Sequence, residues 1–323
     1  MKEQLLYLDQ LTINLGATET TLVNIILAFV MFGVALGIKL ETFKDVFRNP
    51  KSVLTGLGLQ WVALPALTCL LAIVLNPVIT PMVAIGMILV ASCPGGNISN
   101  FISSLSKGNI ELSVSMTAVS TLFAPIITPF NFWLWGTLYC RFAAVKNDIP
   151  TLEIPFAEML EQIVLILGIP IVLGVIVSRY IPRVAKALAK PAQVLSILLF
   201  MAMVVVSVNK VLTGLDSTWA VYAALLTALV VVIIHNATVL GTGYYGATLM
   251  KVSPADRRSL TIETGIQNSG LGLILLFNTA IFPAEVWHGH YGGMLFITAW
   301  WGIWHIISGL TVAYLFRRKP LME

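Results

Sequence analysis

Glu263 is the residue in this sequence whose setting most demands a chemical explanation. It lies in Leu260-Thr-Ile-Glu263-Thr-Gly-Ile-Gln-Asn-Ser-Gly270, within an apolar segment. A bare charge at bilayer depth costs about 2.5–3.5 kcal/mol on insertion scales. Of the fifteen acids in the chain, Glu263 alone sits deep in an apolar run, and no such run carries a Lys or Arg to neutralise it. Three states are open to it: protonated, paired with a bound cation, or paired with a substrate. Gln267, Asn268 and Ser269 follow within two turns. With carbonyls freed at a break around Gly265–Gly270, they offer the oxygen shell a hard cation takes.

A second interruption stands at Cys93-Pro-Gly-Gly-Asn-Ile-Ser-Asn100. Pro94 removes a backbone donor and Gly95-Gly96 relax the chain, so a short helix from about Asn97 begins in mid-membrane. Its first amides carry partial positive charge available to an anion. Ser99 and Asn100 add oxygens one turn in. Ser113 and Thr117, at i and i+4, share one face of the next segment; such pairs also serve as packing glue between membrane helices. Gln60 is a further polar group, five residues before Pro65. Two polar breaks in corresponding segments point to a transporter's binding site, since non-helical backbone at that depth survives only in protein or along a cavity.

The elements that position these residues are membrane spans. With 58% apolar and 11% charged residues and a mean hydropathy of +0.90, the chain departs from soluble domains, in which roughly a quarter of residues are charged. Apolar runs of spanning length fall at Thr21–Leu40, Ser52–Leu75, Met82–Ser106 (split), Ile110–Leu138, Phe156–Arg179, Pro191–Val208, Thr218–Leu249, Arg258–Phe282 (split) and Gly292–Phe316. This predicts an all-α membrane protein of about nine transmembrane helices. Fifteen of the nineteen basic residues fall on one side: around Lys39–Lys51, at Lys107, at Arg179–Lys190, at Lys251–Arg258 and at Arg317–Lys319. Lys2, Arg141, Lys146 and Lys210 take the other. The positive-inside rule then places the N-terminus outside and the C-terminus in the cytoplasm of a plasma membrane, the bacterial inner membrane. Basic residues in short loops do not make a nucleic-acid surface. Cys69, Cys93 and Cys140 show no framework spacing, and Met1–Thr20 lacks the build of a signal peptide.

Four motifs in order carry a family resemblance: Cys93-Pro-Gly-Gly-x-x-Ser-Asn100, Lys107-Gly-Asn-x-x-Leu-Ser113, Glu263-x-Gly-x-Gln-Asn-Ser-Gly270 and Trp304-His305-x-x-Ser-Gly309. Together they resemble the bile acid:sodium symporter family, over essentially the whole chain from first span to last. The resemblance implies an inverted-repeat transporter fold with two broken crossing helices and core plus panel domains. The core would be residues 52–138 and 218–316, the panel 21–40 and 156–212, with 1–20 an external segment and 317–323 a cytoplasmic tail. It implies two sodium sites, one at Ser99, Asn100, Ser113, Thr117 and Glu263, the other at Gln60, Glu263, Thr264, Ile266 and Gln267. An organic anion would meet Asn97, Asn268 and His305. Partners are then sodium ions, an organic anion and the lipid bilayer, and the chain is not an enzyme. Departures are the missing first span of ten-span relatives, Asn97 where a small hydroxyl is common, and Ile306 where an asparagine often follows the Trp-His pair.

Proton coupling through Glu263, with His235 or His305 assisting, is the nearest alternative. Arsenite carriers use a cysteine in the broken helix, which puts Cys93 in view. A non-transporting receptor is a further alternative, and an intramembrane enzyme would need a motif such as His-Glu-x-x-His, which is not present. The other polar features read as structural: His235-Asn236 as buried hydrogen-bonding groups, Trp300, Trp301 and Trp304 as an aromatic belt at the start of the last span, and Trp287, His288 and His290 as interfacial anchors. Tyr139–Pro155 reads as an external connection.

Overall fold

The computed structural model describes residues 1–9, 17–38, 49–147, 154, 156–213, 218–278, 281–282 and 290–318. Twelve helices account for nearly all of these residues: α1 Lys2–Asp9, α2 Ala17–Leu36, α3 Pro50–Leu75, α4 Pro81–Ser92, α5 Ile98–Leu105, α6 Ile110–Asn147, α7 Phe156–Tyr180, α8 Pro182–Thr213, α9 Thr218–Leu249, α10 Pro254–Gly265, α11 Ser269–Leu276 and α12 Gly292–Arg318. Among them, α3, α6, α7, α9 and α12 are long and apolar enough to cross a membrane. Leu54, Val74, Ile126, Leu165, Val172, Leu226 and Ile307 stand exposed along five different helices. An apolar girdle of that extent is a surface for lipid, not water. The chain is an all-helical membrane protein.

α2 lies against α7 and α8, while α4 is enclosed by α12, α6 and α3, and α9 packs along α10 and α12. Every residue of α4 from Val83 to Ser92 is buried, as expected of a helix apolar on all sides. The bundle has an upper end, near Asn76, Tyr139 and Tyr291, and a lower end, near Asn49, Lys107 and Asp256.

Both sequence breaks are breaks in the structure. α4 and α10 each have twelve residues, and α5 and α11 each have eight. α4 opens at the upper end with Thr80 as N-cap and Pro81 behind it; α10 opens at the lower end with Ser253 and Pro254. Each cap oxygen accepts a first-turn amide, Val83 N–H in one and Asp256 N–H in the other. This is the arrangement that a hydroxyl followed by proline favours.

Proline also explains a wide turn in α3. Pro65 has no N–H for the carbonyl of Trp61, and the helix opens into i→i+5 bonding over Leu59–Ala63, the kind of bulge often found at functional positions. Asn131 of α6 donates its Nδ2–H to the freed Trp61 oxygen at 2.9 Å. Gln60 is thereby held in the widened turn. A matching wide turn, Val164–Gly168, precedes Pro170 in α7.

Several expectations change. α6 runs to Asn147, so 139–147 is helix where a connection is expected, and buried Tyr139 donates to Asn76 Oδ1 at 3.2 Å. α8 begins at Pro182 and carries Pro191 within it. α1 forms within residues 1–20, expected as an external segment: Leu5 and Leu8 are fully buried, and Gln4 accepts from Thr227. Trp301 is buried against His235 with ring centroids 4.6 Å apart. α12 starts at Gly292, which sets Trp301 more than two turns inside it rather than in a belt at its start. Lys39, Lys44, Arg48, Lys319, Trp287 and His288 lie outside the described residues.

Candidate functional site

The two breaks hydrogen-bond to each other. Gly96 N–H donates to Ile266 O at 2.9 Å and Asn268 N–H donates to Pro94 O at 2.8 Å, making a two-bond antiparallel bridge with Gly95 opposite Gln267. Four backbone groups that no helix ladder can satisfy are thus paired where water is scarce. Glycine is required at this crossing by space. A Cβ on Gly95 would stand 2.4 Å from Glu263 Oε1, and one on Gly96 would stand 3.2 Å from Gln267 O.

Glu263, fully buried, lies in the last turn of α10 beside this bridge. Ser99 Oγ–H donates to its Oε2 at 2.5 Å and Ser113 Oγ lies 3.0 Å from the same oxygen, while Thr117 Oγ1 lies 2.7 Å from Oε1. Asn100 Oδ1 lies 2.9 Å from Ser113 Oγ and 3.2 Å from Thr117 Oγ1. Ser99, on α5, and Ser113 and Thr117, on α6, are all buried. Six oxygens here share three hydroxyl hydrogens, so acceptors outnumber donors. An oxygen nest with surplus lone pairs and one carboxylate suits a hard monovalent cation, whose charge offsets that of the acid. Among the described residues no three His, Cys, Asp or Glu side chains cluster, as a transition-metal site would require.

A second pocket of unspent polarity adjoins the nest. Gln60 is buried with both amide atoms unpartnered, and Gln267 Oε1 is also unpartnered. Glu263 Oε1 and Gln60 Nε2 both converge on Gly95, at 2.4 and 3.0 Å from where its Cβ would be. Orphaned buried amide atoms cost about 1–3 kcal/mol each, and a bound cation would relieve that cost at the two oxygens, Gln60 Oε1 and Gln267 Oε1. Two expected ligands of this pocket are engaged through their carbonyls: Thr264 O accepts from Gln267 Nε2 at 2.8 Å, and Ile266 O accepts from Gly96 N–H.

The three expected substrate contacts differ from one another. Asn97 begins α5 with an exposed side chain that makes no cap bond. Asn268 caps α11, its Oδ1 accepting from Leu271 N–H at 3.0 Å. His305 is buried with Nδ1 unpartnered. It lies between Gly302, whose Cβ would touch Ser269 Oγ at 3.0 Å, and Gly309, whose Cβ would meet Ile266 Cδ1 at 2.7 Å. At i+3 and i+7 from Gly302, His305 and Gly309 share the α12 face that passes the second break.

Other candidates resolve into structure. Cys93 is buried and its thiol donates to Leu89 O at 3.3 Å within its own helix. Thr68 Oγ1 lies 2.9 Å from His235 Nε2. Sequence reasoning missed Asn131, whose only signal was an amide within an apolar run, and it left Asn236 as generic hydrogen bonding although it grips the second break directly.

The chain is 32% identical over 282 residues to the uncharacterized sodium-dependent transporter YocS of Bacillus subtilis (strain 168), covering 84% of this chain and 81% of that protein. It is 30% identical to a probable chloroplastic sodium/metabolite cotransporter, BASS2, of Oryza sativa subsp. japonica, over 80% of this chain but 57% of that longer one. It is 26% identical to the ileal sodium/bile acid cotransporter of Cricetulus griseus, over 80% of this chain and 69% of that one. These relatives are named as transporters, not enzymes. The description "Sodium Bile acid symporter family" matches residues 24–241, more than half of the sequence, and the chain belongs to that family.

Proposed function

We propose that the protein is a sodium-coupled symporter that carries an organic anion across a bacterial inner membrane by alternating access. The observation that supports this most strongly is the nest around Glu263, an acid buried in apolar surroundings among more acceptors than donors. One sodium ion would sit among Ser99, Asn100, Ser113, Thr117 and Glu263. A second would take Gln60, Glu263 and Gln267 with carbonyls of Thr264 and Ile266, once those carbonyls exchange their present amide partners for the ion. The anion would lie where the α5 N-terminus, Asn97, Asn268 and His305 flank the crossing.

In this reading the chain has nine spans, with α4–α5 and α10–α11 as the two broken ones and the N-terminus outside. The matched helix lengths and cap chemistry of the two broken spans, opening from opposite ends of the bundle, support an inverted repeat. α2, α7 and α8 form the panel and the remaining spans the core. At the upper end, Asn278 just beyond α11 donates to Asn24 of α2 at 2.8 Å, a bond between core and panel. Toward the lower end, α5 presents Asn97, Ile98 and Phe101 exposed, Phe101 by 59%. A seam tied above and uncovered below fits an inward-facing state. Inward sodium movement contributes about 2.3 kcal/mol per charge per 100 mV, and any effect of sodium on anion affinity is matched by the anion's effect on sodium.

The test is uptake by purified protein in proteoliposomes under a sodium or a potassium gradient, with a thermal-shift screen of organic anions in either salt. Sodium should raise the melting temperature and drive uptake of at least one anion, and Glu263→Gln should remove both effects. Sodium stimulation surviving in Glu263→Gln, or uptake that follows pH and ignores sodium, would overturn the reading.

A further inference from the structure

We infer that Asn236 is a positioning residue that ties the second break to the helix carrying His305, so that ion occupancy is transmitted to α12. The inference rests on the proposed ion site but concerns residues outside it. Gly265 is the last residue of α10, and helix ends leave carbonyls without intrahelical partners. Asn236 Nδ2–H donates to Gly265 O at 2.9 Å from the middle of α9, and its side chain is fully buried. On its other side, Asn236 Oδ1 accepts from Ser308 Oγ–H at 2.5 Å. Ser308 lies three residues beyond His305 and itself lies 3.2 Å from the His305 carbonyl. One planar amide thus joins three helices: α9, α10 at its unwinding point, and α12.

The consequence for the ion pocket follows from connectivity. Thr264 and Ile266 flank Gly265, and Gln267 comes next. Rotation of the Gly265 peptide swings the Thr264–Ile266 backbone, so the amide that fixes Gly265 O sets where the neighbouring carbonyls point. The face of α9 is shaped for this grip. Asn236, Leu240 and Gly243 recur at i, i+4 and i+7. A Cβ on Gly243 would stand 2.9 Å from Thr261 Cα, and one on Gly265 would stand 2.2 Å from Leu240 Cδ2. The two helices therefore approach at backbone distance and leave Asn236 no room to turn elsewhere. Because the Ser308 hydroxyl can serve Asn236 Oδ1 only with the amide in its present orientation, α12 senses the break through that bond.

Two substitutions separate grip from transmission. Asn236→Leu keeps the branched outline of the side chain, with somewhat more bulk, and removes the donor. Partners that orient ligating groups typically contribute about 10–100-fold to metal affinity. The sodium concentration giving half-maximal thermal stabilisation of purified protein should therefore rise at least tenfold in that variant. Ser308→Ala leaves the amide on Gly265 but unties it from α12, so half-saturation by sodium should stay within about threefold of wild type while the response of α12 is lost. That response is read without a substrate, as the maleimide labelling rate of an Ile306→Cys reporter, the three native cysteines being buried. Exchanging potassium for sodium should change the rate at least threefold in the reporter protein, change it little after Ser308→Ala, and change it again after Ser308→Thr, which restores the hydroxyl. The inference fails if Asn236→Leu binds sodium within twofold of wild type. It also fails if the reporter ignores sodium in the parent, or if its response survives Ser308→Ala. Should Asn236→Leu not yield folded protein, the Ser308 pair and reporter still decide the matter. Absence of any sodium stabilisation in wild type would instead defeat the ion site itself.

Discussion

The two broken helices are built to one plan and filled with opposite chemistry. Each has a twelve-residue lead, an extended crossing and an eight-residue second half. The first is broken by composition, with Pro94 and two glycines, and contributes backbone, hydroxyls and an uncommitted Asn97. The second is broken without proline and brings the acid. Its Asn268 side chain is committed to capping α11, and Asn236 grips its freed Gly265 carbonyl. One break is held open by the absence of side chains, the other by side chains. The difference teaches that two breaks of like helix lengths can carry unlike chemistry, backbone and hydroxyls from one arm and the acid from the other.

That contrast can be broken at graded cost. The largest effect should come from the acid at the crossing: Glu263→Gln should reduce sodium-driven uptake at least about a hundredfold, about 2.8 kcal/mol in ion binding, measured in proteoliposomes. Next is the steric demand of the opposite arm. Gly95→Ala places a methyl against Glu263 Oε1, and overpacking of this kind typically costs about 1–3 kcal/mol. Sodium-dependent thermal stabilisation should vanish in this variant, although no ligand atom has been removed. The asparagines then separate the arms more finely. Asn268→Ala loses an N-cap and should destabilise the protein by about 1 kcal/mol. Asn97→Ala should leave the melting temperature unchanged and lower anion uptake alone.

The smallest effect lies at the outer starts of the two leads. Asp256 of α10 accepts from Asn49, Ser52 and Asn109. At α4 the acid is Asp9 of α1, close to Gly293 and bonded by Thr80 and the Met82 amide. Burial pushes the Asp9 carboxyl up to about 7 from 3.8, those two bonds pulling the other way. Because its folded pKa is raised, the contribution of Asp9 to stability is complete below pH 3.8 and is lost as pH rises toward 7. Hydrogen exchange of α1 should therefore quicken from pH 5 to pH 8 beyond its intrinsic rate, and Asp9→Asn should flatten that dependence.

Much of this was legible in the sequence because it rests on local rules. Pro94-Gly95-Gly96 announces a break, Glu263 in an apolar run announces a partner, and Ser113 and Thr117 at i, i+4 announce a shared face. The structure brings those residues onto one carboxylate. What was illegible depends on who meets whom. Nothing local to Asn131 says that Pro65 has orphaned the carbonyl it will take, and nothing local to Asn236 identifies Gly265. Leu5 and Leu8 read as scattered apolar residues until α9, α12 and α4 supply a surface for α1. Helix ends also misled at Tyr139–Asn147, where the helix runs on with Tyr139, Cys140 and Ala143 buried and Tyr139 bonded to Asn76.

The Glu263 nest also has a consequence for biosynthesis. Its hydroxyls and its acid are separated by 164, 150 and 146 residues. A chain emerging from the ribosome commits Ser99, Ser113, Thr117 and the bare Pro94 carbonyl to the lipid long before α10 is translated. Until then the early helices hold an unfilled socket that hydrocarbon cannot satisfy. A chain truncated ahead of Pro254 lacks the carboxylate on which Ser99 and Ser113 converge, so those hydroxyls must turn to carbonyls of their own helices, as Thr117 already does toward Ser113 O.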